Sequence, residues 1–142
     1  MIHAFDADVL IYAAVPGHNL GRRVAALFTS RPLGNEEPPD GIGSLLLLPE
    51  VLGKPLREGR TAEVAALAAL LARLDLRPVD RATAELATAL CRSYRLRAAD
   101  ATHLATAISV GADRFITNNR RDFPTTITEI QVTYPEDLPD RS

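Results

Sequence analysis

Tryptophan is absent from the 142 residues, and aromatic side chains make up only 5%. That excludes a single-strand-binding platform built from stacked aromatics. One cysteine, Cys91, excludes an internal disulfide framework and a multi-cysteine zinc site. No apolar run approaches the ~20 residues of a membrane span, and the N-terminus has no basic stretch followed by an apolar signal-like segment. A cytoplasmic protein is expected. There is no excess of positive charge either: the formal net charge is −2, which excludes a strongly basic coat for nucleic acid. Lysine is nearly missing. Lys54 is the only one among 16 basic residues, so the other 15 are arginine, as a biased codon usage would give.

What is present suits one globular domain over residues 1–142, with a polar tail from about 135. Hydrophobic residues are 46% and charged residues 24% of the chain, enough to bury a core at this length. Ile2 to Asp6 reads as a strand, and Leu20 to Phe28 has helical spacing. Arg31 to Gly43, with three prolines, three glycines and three acids, reads as a loop and as the most mobile stretch. Pro49 suits a first helical turn, predicting a helix to about Glu58. Thr61 is expected to cap a helix over Glu63 to Leu74. A strand over Leu76 to Val79 follows, and Asp80 is expected to cap a helix over Arg81 to Tyr94. The pattern then predicts a helix over Ala98 to Val110, a strand over Arg114 to Thr117, a loop to Pro124 and a strand over Ile130 to Thr133. Strands alternating with helices predict an α/β fold with a parallel sheet covered on both faces.

In such sheets, ligands bind outside the carboxyl ends of the strands. The acids that matter therefore stand just after a strand or on the first, inward turn of a helix. Asp6 ends the first strand, and a carboxylate there can hold a cation. Asp8 reads more simply as a helix cap. Glu50 is an isolated charge in the apolar run Leu45 to Leu52 and needs a partner. Asp100 opens the helix Ala98 to Val110. Asp122 lies in Phe115-Ile116-Thr117-Asn118-Asn119-Arg120-Arg121-Asp122-Phe123, after a strand.

Four segments, in order and at fitting separations, resemble the PIN-domain family and especially its VapC-type toxin branch. They are Phe5-Asp6-Ala7-Asp8-Val9-Leu10-Ile11-Tyr12, Leu48-Pro49-Glu50-Val51-Leu52, Ala99-Asp100-Ala101-Thr102-His103-Leu104-Ala105-Thr106-Ala107, and Ile116-Thr117-Asn118-Asn119-Arg120-Arg121-Asp122-Phe123. The resemblance implies a three-layer α/β/α sandwich with a central, mostly parallel sheet. It also implies an endoribonuclease using Mg²⁺ or Mn²⁺, the toxin of a type II toxin–antitoxin pair. Asp6, Glu50 and Asp100 carry over as catalytic acids, with Asp6, Asp100 and Asp122 as metal ligands. The fourth acidic place is open between Asn119 and Asp122. Asp8, Thr117 and Asn119 are possible supports, and Arg120 and Arg121 possible contacts to RNA phosphate. His103, three residues after Asp100 on the same helical side, reads as structural.

The resemblance also implies a homodimer and a bound antitoxin. The residues agree, because Leu67, Leu70, Leu71, Leu74 and six alanines leave the helix from Ala62 nearly all apolar, and such a helix is normally covered on more than one side. The antitoxin is expected near the loop Arg31 to Gly43. Two other readings remain open. One is a PIN-like module that only binds RNA or protein, since Asn119 stands where many relatives carry an acid. The other is a haloacid-dehalogenase-like phosphatase, whose opening Asp6-Ala7-Asp8-Val9 also resembles. That chemistry needs a later lysine and a further acidic pair, and the chain offers only the early Lys54 and an Asp113 that begins a strand.

Overall fold

The computed structural model describes residues 1–29 and 38–140. Its strands are β1 (His3–Phe5), β2 (Gly41–Ser44), β3 (Leu74–Arg77), β4 (Arg114–Ile116) and β5 (Gln131–Thr133). They form one sheet in the order β3-β2-β1-β4-β5, and each neighbouring pair is parallel. The helices are α1 (Ala7–Ala13), α2 (Asn19–Ala25), α3 (Leu47–Arg57), α4 (Thr61–Leu71), α5 (Arg81–Tyr94) and α6 (Ala98–Ser109), with a 3-10 turn at Pro135–Asp137.

Strand residues alternate between two cores. Ala4, Ile42, Phe115 and Val132 pack with Leu90, Leu104 and Ala105 of α5 and α6. Phe5, Leu74 and Ile116 pack on the other side with Val9, Val24, Leu47, Val51 and Leu67 of α1 to α4. The layering is therefore helices, sheet, helices, as expected. Connection handedness explains it. The chain steps from β1 to β2 to β3 in one direction, then returns across β1 to reach β4. Right-handed crossovers taken in opposite directions put their helices on opposite faces.

That reversal creates a switch point between β1 and β4. The chain leaves β1 into α1 on one face of the sheet and leaves β4 into a loop that packs on the other, the kind of place where such sheets open a crevice. The amide of Asp6 donates to the Ile116 carbonyl at 2.9 Å, so the last paired positions of both strands meet at its floor.

Several boundaries differ from the sequence reading. Gly41 to Gly43 belongs to β2 rather than to the loop, while residues 31–37 of that loop lie outside the described residues. The glycines are there for space. A Cβ on Gly41 would lie 2.5 Å from the Phe5 ring, and one on Gly43 2.4 Å from Leu47 Cδ1. The fourth helix ends at Leu71, and β3 runs over Leu74–Arg77, two residues earlier than expected. Thr61 opens that helix as its first residue, with Arg60 at the cap and no side-chain cap bond. Asp80 caps α5 as expected, accepting from the Thr83 amide at 2.8 Å.

Candidate active site

Each acid picked from the sequence is delivered to the switch point by a simple local cause. Asp6 follows β1 and is the N-cap of α1; its Oδ1 accepts from the Ala7 amide at 2.8 Å. Asp8, Glu50 and Asp100 occupy the first turns of α1, α3 and α6. Carboxylates are favoured there by the helix dipole. Asp122 lies in the loop after β4.

Asp6 is 5% exposed. Its Oδ2 accepts from the Thr117 hydroxyl at 2.7 Å, so the residue after β1 is tied to the residue after β4. The Thr117 oxygen also accepts from the Asn119 amide at 3.1 Å. Burial pushes the Asp6 carboxyl above its ordinary range, opposed by the Thr117 and Ala7 bonds and by His103; Glu50 adds to the rise.

Asp8 differs from the expected cap. The capping bond belongs to Asp6, and Asp8 Oδ2 instead accepts from the Asn118 amide at 3.1 Å. Its Oδ1 is buried and has no hydrogen-bond partner among the described residues. Burial first, and the Asp6 charge second, push its carboxyl up to about 7. Asp100 is raised by burial and then by Asp6, Asp122 and Glu50, with His103 opposing. Acids from α1, α3, α6 and the loop after β4 thus sense one another across the crevice.

Asn119 and Asp122 do different jobs. The Asn119 amide donates to Asp122 Oδ2 at 2.9 Å, and its carbonyl oxygen accepts from the Asp122 amide at 3.1 Å. Asn119 is the brace of an Asx-type turn, and Asp122 is the charge that reaches Asp100. Arg120 is engaged within the chain. Its guanidinium stacks 4.1 Å from the centroid of the Tyr134 ring and pairs with Glu136, while Tyr134 donates to the Phe123 carbonyl at 2.8 Å. Arg121 is exposed.

His103, expected to be structural, is buried, and it also touches the site. Its Nε2 lies 3.0 Å from Glu50 Oε2. The signal was available in the i, i+3 spacing from Asp100, which puts both side chains on one face.

The donor set consists of carboxylate oxygens, with a neighbouring hydroxyl and amide. That chemistry suits a hard divalent cation rather than a thiophilic one. The Asp8 Oδ1 is buried without a partner among the described residues, and burial first, with neighbouring acids after it, raises the Asp6, Asp8 and Asp100 carboxyls. As they stand, no three His, Cys, Asp or Glu side chains among the described residues are drawn close enough to ligate one ion.

The PIN domain family model matches residues 4–126, and the chain belongs to that family. A chain of a toxin–antitoxin complex from Klebsiella pneumoniae is similar over 95% of this chain and 98% of its own length, at 25% identity and a TM-score of 0.71. A second similar chain comes from the crystal structure of VapBC2 from Rickettsia felis bound to a DNA fragment from their promoter. There the TM-score is 0.70 at 16% identity, covering 94% of this chain and 98% of that one, a likeness of fold. No curated protein matches.

Proposed function

We propose that this chain is a VapC-type toxin, a Mg²⁺- or Mn²⁺-dependent endoribonuclease acting in the cytoplasm and restrained by an antitoxin. The observation that carries the reading is the Asp100 carboxyl, raised first by burial and then by Asp6, Asp122 and Glu50, which arrive from three other elements. Carboxylates massed at a switch point are costly without a counter-charge. Membership of the PIN family and the likeness to a toxin–antitoxin chain support the same reading.

Asp6, Asp100 and Asp122 would hold the cation, and Glu50 would complete the acidic set as the fourth catalytic residue. When bound, the cation supplies a water acidic enough to attack phosphorus at neutral pH and offsets charge on the leaving oxygen. Thr117 fixes the rotamer of Asp6 through its hydroxyl bond. Asn119 fixes Asp122, and Asp8 adds a further negative oxygen beside them. Arg121 is free to meet an RNA phosphate; Arg120 would have to leave Glu136 to do the same. No nucleophilic side chain is required.

The phosphatase alternative loses its support, because Asp113 Oδ2 accepts from the Ile2 amide at 2.5 Å beside the amino ends of β1 and β4, away from Asp6. The partner reading rests on α4. Its Leu67 and Leu71 are buried, but Ala62, Ala65, Ala68 and Ala69 are exposed. Helix α5 does not cover them, since it packs on the opposite face of the sheet. A second copy of the chain and an antitoxin segment are the proposed coverings.

The test is cleavage of single-stranded RNA by the purified chain, with and without chelator. Mg²⁺ or Mn²⁺ should restore chelated activity. Asp6→Asn and Asp100→Asn should each lower the rate by at least ~100-fold while the circular dichroism spectrum is kept. Chelator-resistant cleavage, or full activity in both variants, would refute the assignment.

A further inference from the structure

We infer that His103 is a positioning residue, whose Nε2–H holds Glu50 Oε2 and so sets how the other Glu50 oxygen faces Asp6 and Asp100. The inference rests on the acidic-site reading above, and it concerns a residue that reading does not use. The His103 side chain is 1% exposed, and the Glu50 side chain 32%. One partner is fixed by packing and the other is half free. Glu50 has three side-chain torsions, and holding such a side chain in one rotamer costs conformational entropy. A bond from a buried, rigid ring offsets that cost before any ligand arrives.

The bond also joins helices that belong to the two different layers. Helix α3 packs in the core below the sheet with Leu47 and Val51, and α6 packs in the other with Leu104 and Ala105. The His103–Glu50 contact bridges them across the carboxyl edge.

The ring has no second polar task. A carboxylate can only accept, so Nε2 carries the hydrogen. Nδ1 is buried without a hydrogen-bond partner among the described residues. A residue serving packing alone would be apolar, as Leu104, Ala105 and Ala107 are on the same helix. Burying an imidazole is unfavourable where its hydrogen bonds are unmet, and Glu50 meets the one at Nε2.

The experiment is Mn²⁺ binding by calorimetry to the full chain and to His103→Leu and His103→Gln, with thermal melts as a folding control. The nitrogen spectrum of the metal-free imidazole is recorded alongside. His103→Leu should bind Mn²⁺ about 10-fold more weakly, the size expected when a group that orients a ligand is lost. His103→Gln, which keeps a side-chain N–H at similar reach, should recover most of that affinity. The wild-type spectrum should show the Nε2–H tautomer with a slowly exchanging proton, and Glu50→Ala should abolish that protection. Unchanged affinity in folded His103→Leu, or no recovery in His103→Gln, would overturn the inference. So would an Nδ1–H tautomer, or a protected proton that survives Glu50→Ala; these two are readable even if both His103 variants fail to fold. If the wild-type chain binds no Mn²⁺, the cation reading fails instead, and the spectrum alone decides the role of His103.

Discussion

Asp8 carries the clearest conflict between a side chain and its surroundings. Its carboxyl is pushed up to about 7, mainly by burial and then by Asp6. A folded value above the unfolded one, near 3.9, means that the folded chain binds the proton more tightly. The contribution of Asp8 to stability is then full below about pH 4 and is lost as pH rises through about 7. The metal-free chain should therefore melt at lower temperature at pH 8 than at pH 5. Asp8→Asn should remove its share of that difference, raising stability at pH 8 by a few kcal/mol, while the raised Asp6 and Asp100 carboxyls keep the rest. The asparagine oxygen can still accept from Asn118. Melting curves across pH 4 to 8 for both chains check this, and parallel curves would show that Asp8 is not the source. The places of Asp6, Glu50 and Asp100 were legible in the sequence, because each stands where a strand ends or a helix starts. The division of labour between Asn119 and Asp122 was not, since it depends on a turn in which one amide satisfies both the backbone and the side chain of the other residue. Nor was the capping role of Asp6, which takes the bond expected of Asp8.

At the scale of elements, the helices and most strands follow from apolar periodicity, and the exceptions have physical reasons. Strand β2 hides behind Gly41-Ile42-Gly43, where only one side chain is apolar. The fold needs glycine there because Phe5 and Leu47 fill the space a Cβ would take. The end of α4 is masked by an alanine- and leucine-rich run without a breaker. Just past its end, the buried guanidinium of Arg73 pairs with Asp40 at 2.8 Å and ties the start of β3 to the entry to β2. The α1–α2 pair depends on contact closer than any periodicity reveals. A Cβ on Gly21 would lie 1.9 Å from the Tyr12 carbonyl oxygen, a backbone atom that cannot swing aside. Gly21→Ala should therefore cost at least about 3 kcal/mol, at or above the upper end of ordinary overpacking. Chemical denaturation measures it, and a loss below 1 kcal/mol would mean that the two helices separate easily.

The whole molecule combines two cores with a crevice at one edge. The exposed alanine face of α4 lies on the side of the sheet that also carries α1, α2 and α3. Covering that face by a second copy predicts a dimer in light scattering at micromolar concentration, and a monomer there would leave the face to an antitoxin alone. The central claim concerns the crevice. It is tested most directly by a crystal structure of the chain soaked in Mn²⁺, with anomalous scattering locating the ion. The account predicts a peak ligated by Asp6, Asp100 and Asp122, with Glu50 beside it and still bonded to His103. A peak elsewhere on the surface, or none in the crevice at saturating Mn²⁺, would contradict it.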